Sequence, residues 1–140
     1  MSRDLDKKVS QKKFILSTFK KEIMDFMKFI IKILPEFHEL KTLKNILDLM
    51  CKFNTVKLLN IWCTYIALPY KDLIIKGDFN YFENKNYKND VVDLGEEQAN
   101  YILQTYDKMR TKISKVSKDD KNKAMKFIQR LSAMSVKYYN

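Results

Sequence analysis

The side chains that could perform acid–base or nucleophilic chemistry are few and scattered along this chain. His38 is the only histidine, and it stands between Glu36 and Glu39, one position off the apolar side of its predicted helix. A general base needs a partner group whose environment pushes the two pKa values apart, and no such pairing is recognisable. No serine stands in a Gly-x-Ser-x-Gly turn. The sequence therefore predicts a surface position for His38, no catalytic residues and no enzyme activity.

The residues that could bind a metal or a cofactor are also unfavourably spaced. Cys51 and Cys63 are the only cysteines, and with one histidine they cannot supply the four ligands of a structural zinc site. The acidic residues of the middle region lack the alternating spacing of a calcium loop: Asp72, Asp78, Glu83, Asp90 and Asp93. Gly77 and Gly95, the only glycines, are too few for a phosphate-binding loop. We predict no metal, no cofactor and no small-molecule substrate, and buried, reduced thiols for both cysteines.

An aromatic-rich stretch, residues 65–87, is the most distinctive part of the sequence. We predict that five of its side chains form a protein-contact surface: Tyr70, Phe79, Tyr81, Phe82 and Tyr87. Two alternatives stay open, since the rings could stack on nucleic-acid bases or could pack a loop onto the rest of the protein. The lysines near these rings are balanced by the five acidic residues named above, which is unfavourable for a base-stacking platform.

A run of basic residues crosses the junction of the last two predicted helices. Eight of them are candidate phosphate or anion contacts: Lys108, Lys112, Lys115, Lys118, Lys121, Lys123, Lys126 and Arg130. If the two helices form a hairpin, these side chains would neutralise several phosphates together. Only two of the ten bases after residue 107 are arginines, so base-specific recognition of nucleic acid is not indicated. The alternative is that the run is an ordinary solvated helix face.

The charge of the whole chain is +10, and it is concentrated at the two ends. Residues 1–34 hold nine bases and four acids, and residues 108–140 hold ten bases and two acids. Such asymmetry favours a negatively charged partner: nucleic acid, an anionic membrane surface or an acidic protein face. A lysine-rich composition bias is the alternative explanation. A basic membrane-surface helix at residues 11–34 is disfavoured, because its apolar stripe is needed for the core.

The elements that must position these residues are helical. In the first helix, apolar residues recur at spacings of three and four: Leu16, Phe19, Ile23, Phe26, Ile30, Ile33 and Phe37. This pattern predicts a helix from Gln11 to the residues before Pro35, preceded by a flexible segment at 1–9. Pro35 is expected to end that helix and to begin the second, which runs to Lys52. Its predicted inward side chains are Phe37, Leu40, Leu43, Leu47 and Met50.

The remaining residues predict further helices and a single domain over residues 10–140. Asn54 is expected to cap a helix over 56–68 that is apolar on nearly every side and lies at the centre of the bundle. A short helix should end at Gly77, followed by a capped turn at Asp78 and a loop at 83–90. Two long helices follow, the second capped by Ser117, and residues 91, 92 and 94 should return the chain to the core. The predicted fold class is all-α: a compact bundle of five long helices and one or two short ones.

Three stretches resemble a known family: ILPEFHELKTLKNIL (33–47), YIALPYKDLIIKGDFNYFENKNY (65–87) and MKFIQRLSAMSVKYY (125–139). They are similar to an uncharacterised family of small, lysine-rich helical proteins of nucleocytoplasmic large DNA viruses. The matching features are a proline–acid–aromatic step at 35–37, Pro69 with Tyr70, Asp78, and the paired aromatics at 81–82. The resemblance implies a viral protein without an enzymatic site, and it assigns no functional residues.

These observations together predict a non-enzymatic helical structural or interaction protein that acts through protein–protein contacts with a viral or host partner. The resemblance adds a viral, virion-associated role, such as cementing capsid proteins or tethering the packaged genome. The alternative is a non-specific nucleic-acid-binding module that uses the basic C-terminal helical hairpin. The longest uncharged run, residues 58–70, is shorter than the ~20 residues that span a bilayer. We therefore expect an intracellular, soluble protein, in the host cytoplasm or the virion, with membrane binding disfavoured.

Overall fold

The computed structural model describes residues 2–83 and 97–140, and these residues form an all-α bundle without a strand. Five helices have eight or more residues and two are shorter, in agreement with the predicted fold class. In chain order the elements are α1 (Ser2–Ile33), α2 (Glu39–Phe53), α3 (Thr55–Trp62), a π-helical segment (Cys63–Ala67), α4 (Lys71–Lys76), α5 (Asn80–Glu83), α6 (Glu97–Ile113) and α7 (Lys118–Tyr138). All seven helices contribute side chains to one hydrophobic core.

The helix α1 is longer than its apolar stripe predicts. Its buried side chains begin at Ile15, and the stripe through Phe19, Ile23 and Phe26 is buried as expected. Residues 2–9, which the sequence predicts to be a flexible segment together with residue 1, are helical. Lysine and glutamine are good helix formers, and Asp4 in the first turn interacts favourably with the helix dipole. The long helix therefore forms even where it has no core to cover.

The connection between α1 and α2 also differs from the prediction. Pro35 and Glu36 lie in a turn, and α2 begins at Glu39 rather than at the proline. The Phe37 backbone N–H donates to the Leu34 carbonyl at 3.1 Å, and this tight turn holds the Phe37 ring in the core. The predicted inward side of α2 is confirmed, since Leu40, Leu43, Leu47 and Met50 are all buried.

The helix α3 packs against α1, α2 and α7, but it is not surrounded as the sequence predicts, because residues 56, 60, 64 and 68 form an exposed side along this segment. The Asn54 side chain caps it by accepting a hydrogen bond from the Lys57 backbone N–H at 3.1 Å. Trp62 is 4% exposed and meets the rings of Phe19, Phe26 and Tyr106 edge to face. The predicted single helix over 56–68 is interrupted, however. From Cys63 the chain follows a π-helical path, in which the Leu68 N–H donates to the Cys63 carbonyl at 3.0 Å.

The short helices α4 and α5 are fixed by the turn residues that the sequence indicates. Gly77 ends α4 in the left-handed region at φ 66°, where a side chain would be strained. The Asp78 carboxylate accepts a hydrogen bond from the Asn80 N–H at 2.9 Å and so starts α5. The predicted loop at 83–90 beyond Glu83, and the predicted return of residues 91, 92 and 94 to the core, lie outside the described residues.

The last two helices pack against different parts of the bundle. The helix α7 lies along α1 and also contacts α3, α4 and the π-helical segment, whereas α6 lies against α2 and α5. Ser117 caps α7 as predicted, accepting a hydrogen bond from the Asp120 N–H at 3.2 Å. Four residues join α6 to α7, and the two helices have different main partners in the described part of the chain, so the predicted C-terminal helical hairpin stays a prediction.

Candidate functional site

Seven of the eight basic residues predicted to contact phosphate are exposed. Lys108 and Lys112 lie on α6, Lys115 lies in the turn after it, and the other five candidates lie on α7: Lys118, Lys121, Lys123, Lys126 and Arg130. Of the eight, only Lys121 is half-buried. The candidates on the two helices have different neighbours, because α6 packs on α2 and α7 packs on α1.

Several of these bases already have partners within the protein. Lys108 pairs with Glu39 at 3.3 Å, and Lys123 pairs with Asp119 at 3.3 Å. Arg130 forms an ion pair with Glu22, and its guanidinium also lies over the Phe127 ring. The ammonium groups of Lys112 and Lys121 lie over aromatic rings, those of Phe37 and Phe79, at 5.2 and 5.8 Å from the ring centroids. The three carboxylates reduce the net charge available to a phosphate, whereas the two lysines over aromatic rings keep their charge.

The α7 bases gain neighbours from α1, which sequence reasoning did not assign to the site. Three contacts show that the two helices are antiparallel: Lys12 lies over the Tyr138 ring at 4.8 Å, Glu22 pairs with Arg130, and Phe29 stacks on Phe127 at 5.7 Å. This register places the exposed Lys28 and Lys32 of α1 level with Lys126 and Lys123. We call these four lysines and Arg130 the α1–α7 basic face.

The aromatic residues predicted to contact a partner lie mostly inside the protein. Tyr81 is fully buried and Phe82 is 1% exposed, so the prediction that they form a contact surface is wrong. Tyr70 and Phe79 are half-buried and pack against the core. Tyr87 lies outside the described residues. For the four described rings the structure agrees with the alternative that they pack the short helices onto the bundle.

Two of those rings, Tyr70 and Tyr81, pack on a buried arginine that the sequence analysis did not single out. Arg110 is 1% exposed, and its guanidinium carbon lies 4.7 Å from the Tyr81 ring centroid and 5.2 Å from that of Tyr70. Its Nη1 donates to the Tyr81 backbone carbonyl at 2.8 Å, and its Nη2 lies 3.8 Å from the Asp107 carboxylate. The hydroxyl of Tyr81 is hydrogen-bonded to that of Tyr106. This cluster fastens α5 to α6.

Burial governs the protonation of this cluster. Desolvation raises the pKa of Tyr81 and Tyr106 well above the usual tyrosine range, so both hydroxyls stay neutral. Desolvation also lowers the pKa of Arg110, which remains a cation because an arginine starts so high. The cluster is closed to solvent and therefore fits a structural role. The sequence did contain a signal for it: Arg110 lies four residues after the inward Tyr106, on the buried side of α6.

The most unusual surface is apolar and lies at the end of the bundle where α1 begins. Residues 3–14 of α1, here called the α1 arm, are all exposed and extend beyond the first buried residue, Ile15. Leu5 and Val9 of the arm are uncovered. Nearby, at the corner between α2 and α3, Phe53 is 83% exposed, the highest value among the exposed large apolar side chains of the described residues. Large uncovered apolar side chains commonly mark contact surfaces.

A groove runs between α1 and the α2–α3 corner at this end. Its α1 wall consists of Lys13, Leu16, Ser17 and Lys20, and its other wall is formed by residues 51–56. We call it the corner groove. Burial raises the pKa of the Cys51 thiol at this wall to about 11, so the thiol is protonated and unreactive at neutral pH. The sequence missed the groove because it depends on how far α1 extends past its neighbours.

The remaining predicted features can be placed directly. Cys51 and Cys63 are buried and form no disulfide, which confirms the predicted free thiols. His38 is exposed, as predicted, just before α2. Within residues 2–83 and 97–140, no three histidine, cysteine or acidic side chains are grouped as metal ligands. Over the same residues, no helix combines the length and hydrophobicity needed to cross a membrane.

Comparison with known proteins adds no further assignment: no family model, no curated protein and no solved structure matches the chain. The resemblance to the viral family stays a prediction from the three sequence stretches. The candidate sites therefore rest on the geometry of the chain itself.

Proposed function

We propose that this protein is a non-enzymatic helical interaction protein, and that it binds a protein partner through the bundle end formed by the α1 arm and the α2–α3 corner. The observation that carries the proposal is the exposure of Phe53, at 83%, beside an arm whose apolar residues have no cover. Burying one phenylalanine contributes ~1.5–3 kcal/mol to a complex. A few such anchors account for most of the affinity of typical interfaces.

The exposed apolar residues at this end form a coherent set. Leu5 and Val9 continue the direction of the buried stripe of α1 beyond the core, and Phe53 and Val56 flank the groove beside it. Tyr139 at the end of α7 lies in the neighbouring depression with Val56. By contrast Ile75, on α4, is also 67% exposed but is distant in the fold from this set. Scattered single residues of that kind are ordinary on protein surfaces.

The experiment that tests this function compares two equally drastic surface substitutions. Phe53→Asp removes the proposed anchor, and Ile75→Asp is its matched control on an exposed, isolated apolar residue. Both tagged variants and the wild type are purified from the cell that makes the protein, and the copurifying proteins are compared by quantitative mass spectrometry. We expect a stoichiometric partner that is lost with Phe53→Asp and kept with Ile75→Asp. The same partners for both variants, or none for the wild type, would refute the proposal.

The viral resemblance supports a narrower version, in which the partner is a capsid protein and the protein cements the particle or tethers its genome. This version predicts stoichiometric copurification with virus particles. Recovery only from infected cytoplasm, with none in purified particles, would contradict it.

A second candidate function, non-specific nucleic-acid binding, is favoured by the α1–α7 basic face. There Lys28 and Lys32 add to Lys126 on an exposed surface, and none of the three forms an ion pair among the described residues. Binding to phosphates should weaken steeply as salt rises, by a similar factor for every sequence. Replacing these three lysines by glutamine should flatten the salt dependence, whereas replacing Lys41, Lys71 and Lys76 should not. Failure to retain DNA or RNA at low salt excludes this function.

A further inference from the structure

We infer that the corner groove receives an amphipathic helix of a partner protein whose polar positions are acidic. This inference rests on the proposed function and names the chemistry of its partner. Three properties of the groove and the adjoining α1 arm lead to it: the spacing of the apolar residues of α1, the charge around them and the position of the groove between two elements.

The apolar residues fit a helix of about three turns. Leu5, Val9 and Leu16 lie at spacings of four and seven on α1, so they form one stripe along the helix. From Leu5 to Leu16 this stripe is ~16 Å long at a rise of ~1.5 Å per residue. Phe53 stands beside its inner end, across the groove. A partner helix lying along the stripe would insert two or three apolar side chains between Val9, Leu16 and Phe53.

The charge around the groove selects an acidic partner. Lys13 and Lys20 line the α1 wall one on each side of Leu16 and Ser17, and neither forms an ion pair among the described residues. On the arm, residues 3–13 hold five bases and two acids. Carboxylates at the edges of a partner helix would therefore meet lysines along its whole length. A second copy of this chain would instead bring like charges together, which is repulsive.

The shape of the groove favours a protein helix over a membrane surface. A bilayer needs one continuous apolar face on the helix that lies in it. Here the large exposed side chain of the arm, Phe14, is nine residues from Leu5, which places it on the opposite side of α1. The apolar residues next to Phe53 belong to two elements, Leu16 of α1 and Val56 of α3, which line a shallow depression rather than one helix face.

Binding of designed peptides tests the inference directly. The probe is a fluorescently labelled peptide of about 18 residues, long enough to form a helix, with leucines along one face and glutamates elsewhere. One control peptide keeps the leucines and replaces glutamate by glutamine, and another keeps the glutamates and replaces leucine by serine. We expect the first peptide to bind the full chain and each control to bind at least about tenfold more weakly. No binding of the first peptide, or equal binding of either control, overturns the inference.

Variants of the full chain locate the binding and separate the alternatives. The double substitution Lys13→Glu with Lys20→Glu should lower the affinity for the acidic peptide by at least about tenfold. The control substitution Lys71→Glu with Lys76→Glu should leave that affinity unchanged. The inference is overturned if the protein sediments with phosphatidylserine vesicles, or dimerises in ultracentrifugation, and either behaviour depends on Phe53. The groove would then bind a membrane or a second copy of this chain rather than a partner helix. If the peptide fails but Phe53→Asp still removes the cellular partner, the proposed function stands and only the partner's chemistry is wrong.

Discussion

The hydrogen bond between Trp62 and Ser132 offers the sharpest test of how the bundle is held together. The Trp62 Nε1–H donates to the Ser132 Oγ at 3.0 Å, and both residues are buried. Ser132→Ala deletes the acceptor and leaves the indole N–H in an apolar surrounding, which costs about 1–3 kcal/mol. Alanine is the better helix former by a few tenths of a kcal/mol, which offsets part of that cost. We expect a net loss of about 1–2 kcal/mol in the free energy of unfolding.

Urea unfolding followed by circular dichroism at 222 nm measures this loss without relying on tryptophan fluorescence. With a slope of about 2 kcal/mol per molar urea, the midpoint should fall by roughly 0.5–1 M. The matched control is Ser17→Ala, because the Ser17 hydroxyl bonds to the Phe14 carbonyl at the surface of α1. This control should leave the midpoint nearly unchanged or slightly raised.

A double-mutant cycle separates the hydrogen bond from the other effects of the substitution. In the Trp62→Phe background the donor is already gone, so adding Ser132→Ala should cost at least about 1 kcal/mol less than it does in the wild type. Additive effects in the cycle, or a wild-type midpoint for Ser132→Ala alone, would show that this contact does not anchor α7 to α3.

Three further predictions concern local features of the fold. Gly77→Ala should destabilise the protein by about 1 kcal/mol in urea unfolding, because φ is +66° and the new Cβ would lie 3.2 Å from the Gln129 amide nitrogen; an unchanged midpoint refutes this. Arg110→Ala should cost about 2–4 kcal/mol, through the lost hydrogen bond to the Tyr81 carbonyl and the cavity left between the rings, and thermal unfolding at the wild-type temperature contradicts it. Stability should fall between about pH 9 and 11, because the unfolded chain releases the Cys51 proton near its ordinary pKa of 9.0 while the folded chain keeps it to about 11; urea midpoints that stay level over this range rule it out.

The helical pattern could be predicted because the spacing of apolar residues along each helix indicates which side of it faces the core. The stripe through Phe19, Ile23 and Phe26 is buried where the periodicity places it, since that spacing follows from the geometry of one helix. The caps at Asn54 and Ser117 also follow from side chains that bond to the adjacent backbone. Features of this kind need no knowledge of tertiary structure.

The candidate sites were less predictable because they depend on which helices meet. Lys108 lies on α6, which packs on α2, and Lys126 lies on α7, which packs on α1, and the sequence alone does not indicate these different partners. Tyr81 and Phe82 look like surface aromatics because the segment around them is polar, yet both are buried, and the Tyr81 ring packs on Arg110. The burial of Arg110 in the core becomes evident only when the aromatic rings of α5 are seen to pack against α6.

The exposed apolar surface at the bundle end could not be predicted from the sequence for a related reason. Leu5 and Val9 lie among charged residues, so their spacing alone does not indicate an apolar surface in the sequence. Their exposure matters only because α1 continues past the ends of its neighbours. Phe53 in turn lies at the last residue of α2, where the periodicity of the helix does not fix the direction of a side chain.

The most direct test of the proposed interaction surface is photo-crosslinking from its centre. A benzophenone amino acid replaces Phe53 in one variant and Ile75 in another, and both are irradiated in the cell that makes the protein. Contact through the bundle end predicts a discrete crosslinked partner from position 53 and none from position 75. The same adducts from both positions, or no adduct from position 53, would contradict it.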